Sequence, residues 1–366
     1  MSKKIHFYSL IVAFFIIGCS TSSIAQLQPT LADSMLRFIK ANPEKASVFI
    51  SRNDTTIASY NSKRVMPLAS TMKILVAVEF AKQAGSNVIN EEQYIALKDL
   101  EVYHLADTDG DAHKNWLEYE KERKTIKNDS IQLIDVARGM IIFSSNANTE
   151  YLMDLLGLDN IKNNIQLFGL KNHTAIYPIV SSLFMYQNPK KMNEDKVVKA
   201  IRKFTEEQYC KVIFAIHNQF KLDSTFKARF NIKDLTEKMQ RCWSDRLPAS
   251  TTEDYVHLAK ILNNRRYLDD NAYGVLTQIM EYPMEQKGFQ KVFKHYGVKG
   301  GSTAFVLTHV LYFTTVSDVK MEMAIFFNNL SESEQSNAER WLDPFEAQII
   351  FNKKFRDQLS LNSNTK

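Results

Sequence analysis

The stretch Ile74-Leu75-Val76-Ala77-Val78-Glu79-Phe80 has almost no polar face. A helix that is apolar all round has to be enclosed by other elements, so this chain must build a domain with a buried helix at its centre. Its 366 residues, 45% of them hydrophobic, are enough for one large core or two smaller packed ones. The formal charge of +5 falls to +3 once Lys3 and Lys4 leave with a leader. That balance is too mild for a nucleic-acid binder, and no basic run is interleaved with aromatics.

Lys3 and Lys4 precede an apolar run from Phe7 to Gly18 and then small residues, the order of a secretory leader. The run is too short to span a bilayer as a mature helix. Two processing sites are open. Ile16-Ile17-Gly18-Cys19 resembles a lipobox, which gives a leader of residues 1–18 and membrane attachment through a lipidated Cys19. Ser23-Ile24-Ala25 fits the small-x-small rule and gives a leader of residues 1–25. Both predict export to the periplasm, with or without a lipid anchor. Beyond Cys19 only Cys210 and Cys242 remain. A disulfide between them would contribute roughly 3–4 kcal/mol, and the alternative is two buried free thiols. No paired Cys or His spacing points to a metal, and no cofactor is expected.

Leu31 to Ala41 reads as a first helix ending before Pro43, and Ala46 to Arg52 with Thr56 to Tyr60 as a hairpin turning at Asn53-Asp54. Ile131 to about Gly169 is helical and apolar, interrupted by Ser144-Ser145-Asn146. Residues 190–245 are charged and helical in period, an insertion or helical lobe. Ser250 and Glu253 have the spacing of a capping box. Lys299 to Thr303 opens a first C-terminal strand that runs through Phe305 to Phe313. Met321 to Phe327 forms a second, and Glu334 to Phe355 a closing helix. The predicted fold class is α+β. An antiparallel sheet from residues 27–68 and 266–358 is flanked by the first and last helices, and an all-helical part, 69–265, lies beside it. A cleft follows between the two, a preferred place for a small-molecule or peptide site.

Four S-x-x-K patterns occur, at Ser70, Ser224, Ser317 and Ser363. Only Ser70 opens a long apolar helix, where positions i and i+3 share a face and Lys73 stands one turn above the hydroxyl. Backbone N–H groups at such a helix start stabilise developing negative charge. For Lys73 to take the serine proton, its pKa must fall from about 10.4 to roughly 7–8, at a cost of about 4 kcal/mol. Burial and a second cation both act in that direction, and Lys299 is the candidate second cation. Lys299-Gly300-Gly301-Ser302-Thr303 combines a cation, two glycines that allow close approach, and hydroxyls. Polar Ser144-Ser145-Asn146 inside an apolar helical segment needs partners or a cavity.

The ordered set Ser70-x-x-Lys73, Ser144-x-Asn146 and Lys299-Gly300-Gly301 resembles the S-x-x-K, S-x-N and K-[TS]-G motifs of the β-lactamase and penicillin-binding-protein superfamily, class A most of all. The similarity extends over roughly residues 28–355. It implies that Ser70 forms an acyl-enzyme, Lys73 activates it and Ser144 relays a proton. Asn146 would bind the substrate amide and Lys299 its carboxylate, with Gly301 and Ser302 also at the substrate. The oxyanion hole would be the backbone N–H groups of Ser70 and Ser302.

Two departures matter. Gly300 stands where the family has Thr or Ser. No counterpart exists of the E-x-x-L-N loop, whose glutamate activates the deacylating water in class A enzymes. Its expected place, His173 to Val180, holds no carboxylate, and Glu194 lies farther on without the motif. Without a general base, deacylation slows by about 10²–10⁴-fold. The expected activity is therefore that of a serine acyl hydrolase on an amide or ester, a β-lactam or a peptidoglycan-type peptide. A β-lactamase with its base elsewhere and a non-catalytic binder of cell-wall fragments are the alternatives. His104, His113, His309 and Tyr177 read as structural.

Overall fold

The computed structural model describes residues 21–363 apart from Pro189, Ser224 and Ser360; Cys19 and the rest of the leader through Ser20 lie outside the described residues. A six-stranded sheet runs in the order 362–363, 55–60, 46–52, 320–327, 307–315, 293–302. The hairpin Ala46–Arg52 and Thr55–Tyr60 turns at Asn53 and Asp54, both with positive φ. Its first strand pairs antiparallel with Lys320–Phe327, Ile50 facing Met323. That pairing joins the two ends of the chain in one sheet, antiparallel except for the short edge strand 362–363, which runs parallel to 55–60.

Alternation along the strands serves two cores. Tyr296, Val298, Leu311, Phe313 and Ile325 face one side of the sheet, where helices Thr21–Ala41 and Glu332–Phe351 pack against each other. Val310, Tyr312, Ala324 and Phe326 face the other side, which meets the helical part. There the helix Lys73–Gly85 is the buried centre: Leu75, Val76, Ala77, Val78 and Phe80 have no solvent exposure. Helices Leu133–Ile142, Asn146–Leu156, Leu158–Leu167 and Asp270–Met280 surround it. Each large side chain so enclosed contributes about 1.5–3 kcal/mol. Its one acid, Glu79, accepts hydrogen bonds from Lys82, Gln83 and Asn164 at 2.8–3.0 Å.

Three readings are corrected. Lys299 to Ser302 ends a strand, Phe293–Ser302, and a turn at 303–306 separates it from Leu307–Thr315. Lys294, His295 and Gly297 hide the strand's alternation in the sequence. The cap before helix Thr252–Asn264 is Thr251, whose hydroxyl accepts from the Asp254 N–H at 3.0 Å, one residue later than the Ser250–Glu253 spacing. The last long helix stops at Phe351, because Asn352 is extended and caps a separate short helix, Lys353–Asp357.

Helices Glu194–Arg202, Glu206–Leu222 and Glu237–Ser244 share a small core. Val198, Ile201, Tyr209, Ile213 and Met239 meet Tyr177, Leu183 and Tyr186 of the preceding segment there. Cys210 and Cys242 sit in this core as free thiols, so the disulfide is not formed. The Tyr186 hydroxyl beside them pairs with that of Tyr209 at 3.1 Å. Among the described residues no helix is long and apolar enough to cross a membrane.

Candidate active site

Ser70 does not open an α-helix directly. Residues Ala69–Met72 form a 3₁₀ turn and the α-helix begins at Lys73. In a 3₁₀ turn side chains three apart eclipse, which keeps Ser70 and Lys73 on one side. Ala69 enters the turn at φ +46°, a left-handed conformation that costs a non-glycine residue about 1 kcal/mol or more. The Leu68 carbonyl fixes the approach, accepting from the Thr71 hydroxyl at 2.7 Å and the Thr308 hydroxyl at 2.8 Å. Strand 293–302 lies hard against this turn. A Cβ on Gly301 would fall 2.5 Å from the Ser70 backbone nitrogen and 2.9 Å from that of Thr71, so only glycine fits.

Lys73 is 0% exposed. Its ammonium nitrogen donates to the Ser144 carbonyl at 2.7 Å and to Asn146 Oδ1 at 2.8 Å. Burial brings its pKa down to about 7, against the opposing pull of Asp109 and Glu150. A neutral amine has two N–H groups, matching those two acceptors, and a lone pair besides. Ser144 reaches both lysines because it sits at φ +64°, presenting its carbonyl to Lys73 and its hydroxyl to Lys299. Lys299, 3% exposed, also donates to the Gly300 carbonyl at 2.6 Å. Burial, then repulsion from Lys73, holds Lys299 well below the ordinary lysine range.

Ser70, Ser144, Asn146, Gly301 and Ser302 line one cleft of about 850 Å³. Asp107 to Gly110, the lobe residues Leu235, Arg241 and Trp243, and Glu332 and Glu339 of the last long helix complete its walls. The geometry thus brings together all of the residues singled out from the three motifs.

It also supplies residues that motif reading passed over. Gly300 faces His309 across the strand pair, and a Cβ there would come within 3.2 Å of the imidazole. His309 is held by Glu346 of the last helix at 2.6 Å, which accounts for a glycine at this position. Glu150, four residues after Asn146 on the same helix, is with Asp109 one of two carboxylates close enough to influence Lys73. Its oxygens are fully engaged: Oε1 accepts from the N–H groups of Val180 and Ser181, Oε2 from the Ser181 hydroxyl and His217. The i, i+4 spacing from Asn146 was its only signal in the sequence. His173 bonds the Thr174 carbonyl and Tyr255 hydroxyl, and Glu194 begins a lobe helix; neither lines the cleft.

The sequence profile of the β-lactamase enzyme family matches residues 30–340. The chain belongs to that family. No curated protein matches it in sequence. Solved structures of the family's fold do resemble it. An acyl-enzyme of a PBP-A mutant with penicillin G is 15% identical over 89% of this chain and 97% of its own, with a TM-score of 0.53. The β-lactamase from Sphaerobacter thermophilus DSM 20745 is 15% identical over 87% and 97%, at 0.52. The TLA-3 extended-spectrum β-lactamase is 16% identical over 88% and 99%, at 0.50. At such identities these likenesses show the fold. A serine-hydrolase-like function follows at the level of the family, and the residues that carry it in this chain are a matter for proposal.

Proposed function

We propose that this protein is an exported serine acyl hydrolase that forms a long-lived ester on Ser70 with a β-lactam or a peptidoglycan-type peptide. The observation that carries the reading is a buried Lys73 with a pKa near 7, its two N–H groups engaged by Ser144 and Asn146, beside a serine open to the cleft. Ser70 Oγ attacks the carbonyl carbon as its proton moves to Lys73 Nζ. The tetrahedral oxyanion collapses, the C–N bond breaks, and the leaving nitrogen receives that proton by way of the Ser144 hydroxyl, which Lys299 holds. Hydrolysis of the ester then needs water and a base. The family's glutamate loop has no counterpart and both oxygens of Glu150 are engaged, so the ester is expected to leave slowly; Asp109, on the cleft wall, is the carboxylate that would serve if release proved fast.

A peptide suits the cleft by size and charge. A volume of about 850 Å³ is near the upper end of small-molecule sites. Asp107, Asp109, Glu237, Glu332 and Glu339 around one Arg241 favour a substrate with a free amine.

Intact-mass spectrometry after exposure to benzylpenicillin tests the proposal. A stoichiometric adduct persisting for minutes or longer on the native protein, and missing from Ser70→Ala, is the expected result. Nitrocefin turnover at many per second would overturn the slow-release half and favour a β-lactamase with an unrecognised base. No adduct at any dose would remove β-lactams from the substrate class.

A further inference from the structure

Glu101, His104 and His113 bring one ligand atom each to within 4.8 Å of one another. His104 Nδ1 lies 3.2 Å from one Glu101 carboxylate oxygen and His113 Nε2 3.2 Å from the other. The edge of a zinc tetrahedron with bonds of about 2.1 Å is about 3.4 Å, so each nitrogen already lies near that distance from the carboxylate, and the three ligand atoms, within 4.8 Å overall, would draw together on an ion. The eight residues between the histidines conceal the site in the sequence; the 102–111 segment folds back to bring them together, their ring centroids 4.7 Å apart.

We propose that Glu101, His104 and His113 bind one zinc-class divalent ion, with a fourth position left for water. Two imidazoles and a carboxylate are the donors of open zinc sites, and imidazole selects against magnesium and calcium, which prefer all-oxygen shells. His113 is built for the role. It is buried, and its Nδ1 is 2.9 Å from the Ser145 hydroxyl, which also accepts from the Asn148 N–H at 3.2 Å. With an ion bound, that hydroxyl can accept the Nδ1 proton and leave Nε2 bare for the metal, the outer-shell support typical of metal-bound histidine. Lys227 donates to the backbone carbonyls of Glu101 and His104, so its charge opposes the ion. Asp109, which accepts from the His113 N–H at 3.1 Å, adds negative charge.

The ion would act on the cleft through two links. The segment between its ligands carries Asp107, Thr108, Asp109 and Gly110 to the cleft wall, and Ser145 adjoins Ser144. Metal binding would fasten that wall.

The test is equilibrium dialysis of the full chain, stripped with chelator, against zinc chloride, with bound metal counted by mass spectrometry. About one ion per chain is expected, and replacement by cobalt should give the visible bands of a four-coordinate site. Glu101 and His104 are exposed enough that Glu101→Gln and His104→Ala should keep the native circular dichroism while weakening binding on the order of 10- to 100-fold or more. Binding well below one ion per chain, or unchanged in both variants, overturns the proposal. Ser70→Ala should bind zinc normally, so the outcome is separable from that of the acylation experiment.

Discussion

At the scale of single residues, the site turns on how burial lowers the pKa of two lysines. Acylation by penicillin should rise with pH through an apparent pKa near 7 as Lys73 loses its proton, and Lys73→Ala should slow it by about 10²–10⁴-fold; stopped-flow acylation across pH 5–9 measures both. On the proposed reading a substrate carboxylate binds at Lys299 and would raise that lysine's depressed pKa. Binding of an anionic ligand to Ser70→Ala should therefore take up protons, seen in calorimetry as enthalpies that vary with the buffer. Gly301→Ala places a methyl against the backbone of Ser70 and Thr71. Displacement of about 1 Å there should reduce acylation about 10²-fold, read as the second-order rate constant with penicillin. The motifs themselves were legible because each carries unusual chemistry in an apolar setting. The meaning of Gly300 was not, since its cause is His309, placed opposite by strand pairing and fixed by Glu346 some forty residues later.

Among elements, the join between the lobe and helix Asn146–Leu156 holds a cluster of charged groups. His217 of helix Glu206–Leu222 contacts Glu150 at 3.2 Å and Asp154 at 2.9 Å, and Asp154 also accepts from Tyr103 and Lys221. Although burial opposes it, these carboxylates bring the His217 pKa up to about 9. Its stabilisation is complete below about pH 6.5, the ordinary histidine value, and disappears as pH rises through 9. The difference in unfolding free energy between the native protein and His217→Gln should be about 3 kcal/mol at pH 6 and small by pH 9.5, measured by urea denaturation. Taking the difference removes the opposite trend from Lys73, whose lowered pKa makes stability rise with pH above about 7. Most helices and the hairpin were readable from period and turn residues. Strand 293–302 was only half seen, because glycine and polar residues interrupt it where it faces Tyr312 and the cleft.

Over the whole molecule, one sheet closes the two ends of the chain and leaves everything between them to shape a cleft. The long-range pairing of residues 46–52 with 320–327 was inferable because strands occur at both ends and helices between. What the lobe does could not be read, since its packing against Tyr177, Leu183 and Tyr186 depends on contacts no local pattern encodes. In the structure the lobe backs the segment where the family carries its deacylating glutamate and, through His217, engages Glu150. The consequence of that engaged carboxylate reaches beyond rate. A chain that acylates and does not release is consumed by its ligand one for one, so on the proposed reading the number of copies present, and not their speed, sets how much ligand is removed.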